Sequence, residues 1–164
     1  AVRRQVRIPL ATNMYPNKFD DLGPAIRMDA VDIILTDLHY WEGPRGVKDL
    51  EAVCRTFNLG VAMHSGAEFG IELAAMLHTA ATIPTMTFAG DAHYHYLTDD
   101  IIQGGVMQYE DGCIRVPTGP GLGVTLDEEK MKRYERYYEE KGDYYARFHQ
   151  DPYRPDWFPM VGGT

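Results

Sequence analysis

The chain has 164 residues, 45% of them apolar and 24% charged, with a formal charge of -8. That length supports one domain with a real core, and the acidic balance argues against nucleic acid or an anionic membrane as a partner. No apolar run approaches the roughly 20 residues that cross a bilayer.

The single basic cluster, AVRRQVR at the start, reads as a solvated helix face or segment end. The chain opens at Ala1 without Met and in mid-element, so it is expected to be a piece of a longer polypeptide. RIPLAT at 7–12 predicts a short buried strand, and DDLGPAIRMDA at 20–30 a helix with acidic residues in its first turn. VDIILTD at 31–37 is apolar and β-branched, the pattern of a strand buried on both faces. Residues 46–58 place Val47, Leu50, Val53, Cys54 and Phe57 at helical spacing. VAMHS at 61–65 predicts a strand, EFGIELAAMLHTAATI at 68–83 a helix, and MTFAGD at 86–91 a fourth strand. This alternation implies parallel strands joined by right-handed crossovers.

Beyond Asp91 the pattern changes. Residues 104–117 predict a hairpin around Glu110-Asp111-Gly112, TGPGLGV at 118–124 a rigid turn, and 128–141 a charged, Tyr-rich helix. The tail to Thr164, with Pro152, Pro155 and Pro159, is expected to wrap as irregular chain. Cys54 and Cys113 form no CxxC, and neither a signal peptide nor an Asn-x-Ser/Thr site appears, which suits the cytoplasm.

Each strand ends on a polar residue: Asn13, Asp37, His64 and Asp91, at intervals of 24, 27 and 27 residues. A TIM barrel repeats about every 30 residues and gathers its strand C-termini at one mouth. Four polar side chains in register therefore converge on one site, against the plainer reading of each as a helix N-cap. An open doubly wound sheet carries the same alternation, but no GxGxxG lies between a strand and a helix.

His64 can take and return a proton near neutral pH. A carboxylate on its other ring nitrogen, from Asp37, would fix tautomer and orientation. Asn13 offers an amide oxygen suited to a hard cation such as Mg2+. His93 and His95 form an HxH pair, which reads as substrate or structural hydrogen bonding more readily than as a zinc site. Ser65 adjoins His64, but no GxSxG elbow presents it as a nucleophile. His39, His78 and His149 read as structural, and Glu68 as support for the following helix N-terminus.

IPLATNM, VDIILTDLHYW, AMHSGAEFGIELA and VPTGPGLGVTLD together resemble the C-terminal half of the enolase superfamily, most like its glucarate dehydratase group, over about residues 5–127. ATNM and DLHYW are the specific motifs; PGLGV is shared with mandelate racemase relatives. The resemblance implies the later half of a modified (β/α)7β barrel: residues 1–103 as strands five to eight, and 104–164 as a hairpin, helix and tail returning toward a capping domain that this chain lacks. It also implies removal of the proton alpha to a carboxylate, an enediolate stabilised by Mg2+, and loss of water to give a keto-deoxy sugar acid. On the matching positions, Asn13 is a metal ligand, Asp37 and His64 the base dyad, and Asp91, His93 and Ser65 face the substrate.

Two departures accompany the resemblance. The family's other two metal ligands, both acidic, and its lysine pair have no counterpart before Asn13, so they are expected in the rest of the same polypeptide. Gly66 and Ala67 stand where glucarate dehydratases carry two asparagines, so a related acid sugar or another hydroxy acid fits as well as glucarate. The implied partners are a small carboxylate sugar and other copies of the protein in a homo-oligomer. A racemase or epimerase on the same scaffold, or a catalytically silent relative, are the alternatives.

Overall fold

The computed structural model describes residues 2–66, 68–86, 88–90 and 93–141. It divides into a unit spanning Ala1–Leu126 and a second beginning at Asp127. The first holds a three-stranded parallel sheet: β1 (Ala11–Thr12), β2 (Ile33–Thr36) and β3 (Gly60–Met63), paired in that order. Between them run α1 (Phe19–Met28) and α2 (Gly43–Thr56), and α3 (Gly70–Ala80) follows β3.

Parallel register puts paired residues on the same face. Ile34 pairs with Val61 and Thr36 with Met63, and these side chains face the helices. There they join Leu22, Trp41, Val47, Leu50, Cys54, Met76 and Ile83 in one core. The opposite face carries Ile33, Leu35 and then Asp37 on β2, matched to Gly60, Ala62 and then His64 on β3. One side of the sheet is thus given to packing and the other to polar strand ends.

The strand ladders are shorter than the sequence predicts. The first begins at Ala11, because Pro9 has no N–H to donate and the Leu10 N–H goes to the Asp32 carboxylate at 2.9 Å. Of the fourth, no described residue of 86–91 belongs to a strand. Phe88 stands against Gly60 and Ile33 on the polar face of the sheet, whereas Gly90 approaches Met63 on the packed face.

The helices lie close to their predicted spans. Asp29, in the left-handed conformation at φ 51°, ends α1 with its N–H on the Ile26 carbonyl. Trp41 is 1% exposed and meets Phe19 edge to face at 5.3 Å, which fastens the β2–α2 loop to the core. Gly46 permits this, since a Cβ there would lie 1.8 Å from the Trp41 carbonyl oxygen. Of the predicted hairpin at 104–117, the structure keeps the turn. Glu110 and Cys113 exchange backbone hydrogen bonds at 2.8 and 2.9 Å across Asp111 (φ 50°) and Gly112 (φ 76°), the two positive φ values of a type I′ turn. No longer ladder extends from this bridge among the described residues. In the second unit, α4 (Glu128–Lys141) opens with the Lys130 N–H on Asp127 Oδ1 at 3.1 Å. The Pro-rich tail lies outside the described residues.

Candidate active site

Three strand ends meet on the polar face. His64 follows β3, and its N–H donates to the Thr36 carbonyl at 2.7 Å, which carries the pairing one step past the strand. Its ring lies between two partners. Asn13 Nδ2 donates to His64 Nε2 at 2.7 Å, and His64 Nδ1 stands 3.7 Å from Asp37 Oδ2. With Nε2 accepting, the ring proton sits on Nδ1 and points at the carboxylate. The His64 side chain is 18% exposed and that of Asp37 7%, so the ring reaches solvent while the carboxylate lies behind it.

The two oxygens of Asp37 have different tasks. Oδ1 accepts the N–H groups of His39 and Tyr40 at 2.9 and 2.8 Å, an Asx turn at the mouth of the β2–α2 loop. Oδ2 is thereby aimed at His64.

A second set lies beside this line. Ser65 is fully buried; its Oγ donates to Glu68 Oε2 at 2.7 Å and accepts the His93 N–H at 3.2 Å. His93 Nδ1 donates to the Ser65 carbonyl at 2.6 Å, which leaves Nε2 as the ring's other polar atom. Ser65, expected on the substrate, therefore stands behind the site as a strut for His93, because burial closes its hydroxyl off from open space. His93 leads into a 3-10 turn, Tyr94–Tyr96, in which His95 packs on the Tyr96 ring at 4.0 Å. The HxH pair is not extended chain, and both rings lie against Tyr96, at 6.1 and 4.0 Å between centroids. Asp91 lies outside the described residues.

The sequence reading missed His39 and Glu72 as neighbours of the site. His39 Nε2 donates to Glu72 Oε1, in the first turn of α3, at 2.6 Å. Partial burial raises the Glu72 pKa above the usual carboxylate value; Glu68 and Asp37 push the same way and His39 opposes them. The available signal was the Asp37-x-His39 spacing, which places the histidine in the turn that holds the aspartate. His78, read as structural, donates from Nε2 to the Leu122 carbonyl at 3.1 Å.

Farther back, Asp100 is fully buried and ties this region together. It accepts the Gly70 N–H at 2.9 Å, the Ile101 N–H at 2.6 Å and the Tyr94 hydroxyl. A carboxylate at the N-terminus of α3 suits the helix dipole, and the same group holds the turn that follows His93. Among the described residues, no set of three or more His, Cys, Asp or Glu side chains is placed to hold a metal ion. Asn13, with its amide nitrogen on His64, keeps its oxygen as one hard donor.

The family model for the enolase C-terminal domain-like family matches residues 1–130. The chain belongs to that family. It is 43% identical over 130 residues to a probable glucarate dehydratase of Streptomyces coelicolor, covering 79% of this chain and 30% of the relative. A solved isomerase from the same species superposes with a TM-score of 0.82 at 45% identity, over 87% of this chain and 38% of that one. A Pseudomonas fluorescens enolase solved with magnesium, potassium and tartrate gives a TM-score of 0.88 at 36% identity, over 97% of this chain and 38% of the other. The chain thus spans about a third of the length of these proteins, from 30% to 38%. Among the described residues, no helix is long and apolar enough to cross a membrane.

Proposed function

We propose that the chain supplies the base-carrying half of an acid-sugar dehydratase active site, as strands five to eight of a modified TIM barrel within a longer, homo-oligomeric polypeptide. The observation that carries this reading is the His64 ring, with Nδ1 toward Asp37 and Nε2 on the Asn13 amide. A ring in that tautomer carries its lone pair at Nε2, and it serves as a general base once substrate displaces the Asn13 N–H from that nitrogen.

In this reading the substrate is a small sugar carrying a carboxylate. Its α proton passes to His64 Nε2, and Asp37 stabilises the imidazolium that results. The same ring then returns the proton to the β-hydroxyl as it leaves, so one acid-base residue serves both halves of the elimination. Asp91 and His93 Nε2 are the substrate-side groups. Asn13 would hold Mg2+ through its amide oxygen, with acidic ligands from the part of the polypeptide that this chain does not cover. When bound, the cation supplies positive charge for the developing enediolate.

The relative described as a probable glucarate dehydratase and the neighbour solved with magnesium and tartrate support this class of substrate. The neighbour described as an isomerase supports a second reading, racemisation or epimerisation from the same base. The test is a panel of mono- and diacid sugars with Mg2+ and the full-length protein, read by product mass and by α-deuterium exchange in D2O. A dehydratase loses 18 mass units and an isomerase keeps its hydroxyl. Near-normal turnover by His64→Ala of every active sugar sinks both.

A further inference from the structure

We infer that His39 and Glu72 form a positioning clamp that sets the orientation of the Asp37–His64 pair from the first turn of α3. The inference rests on the base assignment proposed above.

The connection runs through four contacts. Glu72 Oε1 takes the His39 Nε2–H at 2.6 Å. The His39 main-chain N–H, with that of Tyr40, holds Asp37 Oδ1 at 2.9 and 2.8 Å. Asp37 Oδ2 faces His64 Nδ1 at 3.7 Å, and His64 Nε2 meets Asn13 at 2.7 Å.

The geometry makes the clamp more than a surface ion pair. The His39 side chain is 65% exposed and has no burial of its own to fix it, whereas Glu72 is 27% exposed on a helix whose N-terminus is tied down by Asp100. Order therefore passes from the helix to the loop. The loop is also anchored from behind by Trp41, so the clamp and the indole hold its two sides. The 3.7 Å separation between Asp37 and His64 exceeds a hydrogen bond. A small shift of the loop either closes or widens it, and that distance governs how strongly the carboxylate holds the Nδ1–H tautomer. Misplacement of catalytic groups by about 1 Å can cost on the order of 100-fold in rate.

The experiment uses the full-length protein labelled with 15N-histidine, with the His64 ring signals assigned from a His64→Gln spectrum. The wild-type ring is expected to show its proton on Nδ1. Glu72→Ala and His39→Ala should each move the ring toward a tautomer mixture. They should also lower kcat about 10- to 100-fold with KM changed by less than about twofold. Glu72→Gln, whose amide oxygen still accepts the His39 Nε2–H, should restore the wild-type ring signals and most of the rate. Unmoved His64 signals in Glu72→Ala overturn the clamp, even if thermal stability falls, because that result marks a merely structural pair. Failure of Glu72→Gln to restore the signals overturns it too. Should the ring respond as expected while His64→Gln leaves turnover intact, the clamp stands and the proposed base falls.

Discussion

Replacing Asp100 by Ala tests whether a single buried carboxylate holds the back of the site together. The side chain is fully buried and accepts hydrogen bonds from Gly70, Tyr94 and Ile101. Gly70 and Tyr94 are themselves buried, so the truncation strands two buried donors. At about 1.5–3 kcal/mol for each bond to a charged group, the loss is about 3–6 kcal/mol. Asp100→Asn keeps one acceptor and should lose about half as much. Tyr94→Phe removes the hydroxyl that also takes the Met107 N–H at 2.9 Å, and combined with Asp100→Ala it should fall well short of additive. Urea and thermal unfolding of the full-length protein followed by circular dichroism read all four variants. A loss under about 1 kcal/mol in Asp100→Ala, or an Asn variant as damaged as the Ala one, refutes this accounting.

Three further outcomes are expected. Asp37→Asn turns an amide N–H toward His64 Nδ1 and favours the tautomer without a lone pair at Nε2; kcat should fall about 10²- to 10⁴-fold, and steady-state assays showing a loss under about tenfold contradict the dyad. Burial raises the Cys54 thiol pKa to about 12, so the folded state keeps its proton after the unfolded chain has lost its own near pH 8.5–9. Stability should then be unaffected below that pH and fall by about 1.4 kcal/mol per pH unit above it; pH-dependent urea melts of Cys54→Ala should lack that component, while exposed Cys113 alone reacts quickly with a thiol reagent in the native state. Gly66→Asn meets open space, since nothing lies within 4 Å of a Cβ there; unfolding should change by under about 0.5 kcal/mol, while the ratio of kcat/KM values among diacid sugars shifts.

The helices were legible because their signals are local. Val47, Leu50 and Cys54 repeat at 3.6-residue spacing and are all fully buried, and α4 spans the residues its charge pattern predicts. Strand bounds were less legible because a ladder depends on partners. Nothing within MTFAGD tells that Phe88 and Gly90 will turn to opposite faces. In the site, the strand ends announced Asn13, Asp37 and His64, which do meet. Ser65 looked available because its neighbour was, yet burial is set by Glu68 and His93, 3 and 28 residues away. His39 and Glu72 were opaque for the same reason: their pairing crosses from one loop to another helix.

The divided duty of Asp37 limits what position 37 can become. Glutamate retains the charge, but its extra methylene means that a carboxylate oxygen seated on the two loop amides carries its twin past the imidazole. Seating the twin correctly instead releases the amides. A conservative acid-for-acid exchange should therefore fail here about as badly as loss of the acid, and laboratory evolution from this scaffold should find its changes of selectivity around the rim while this one position stays fixed.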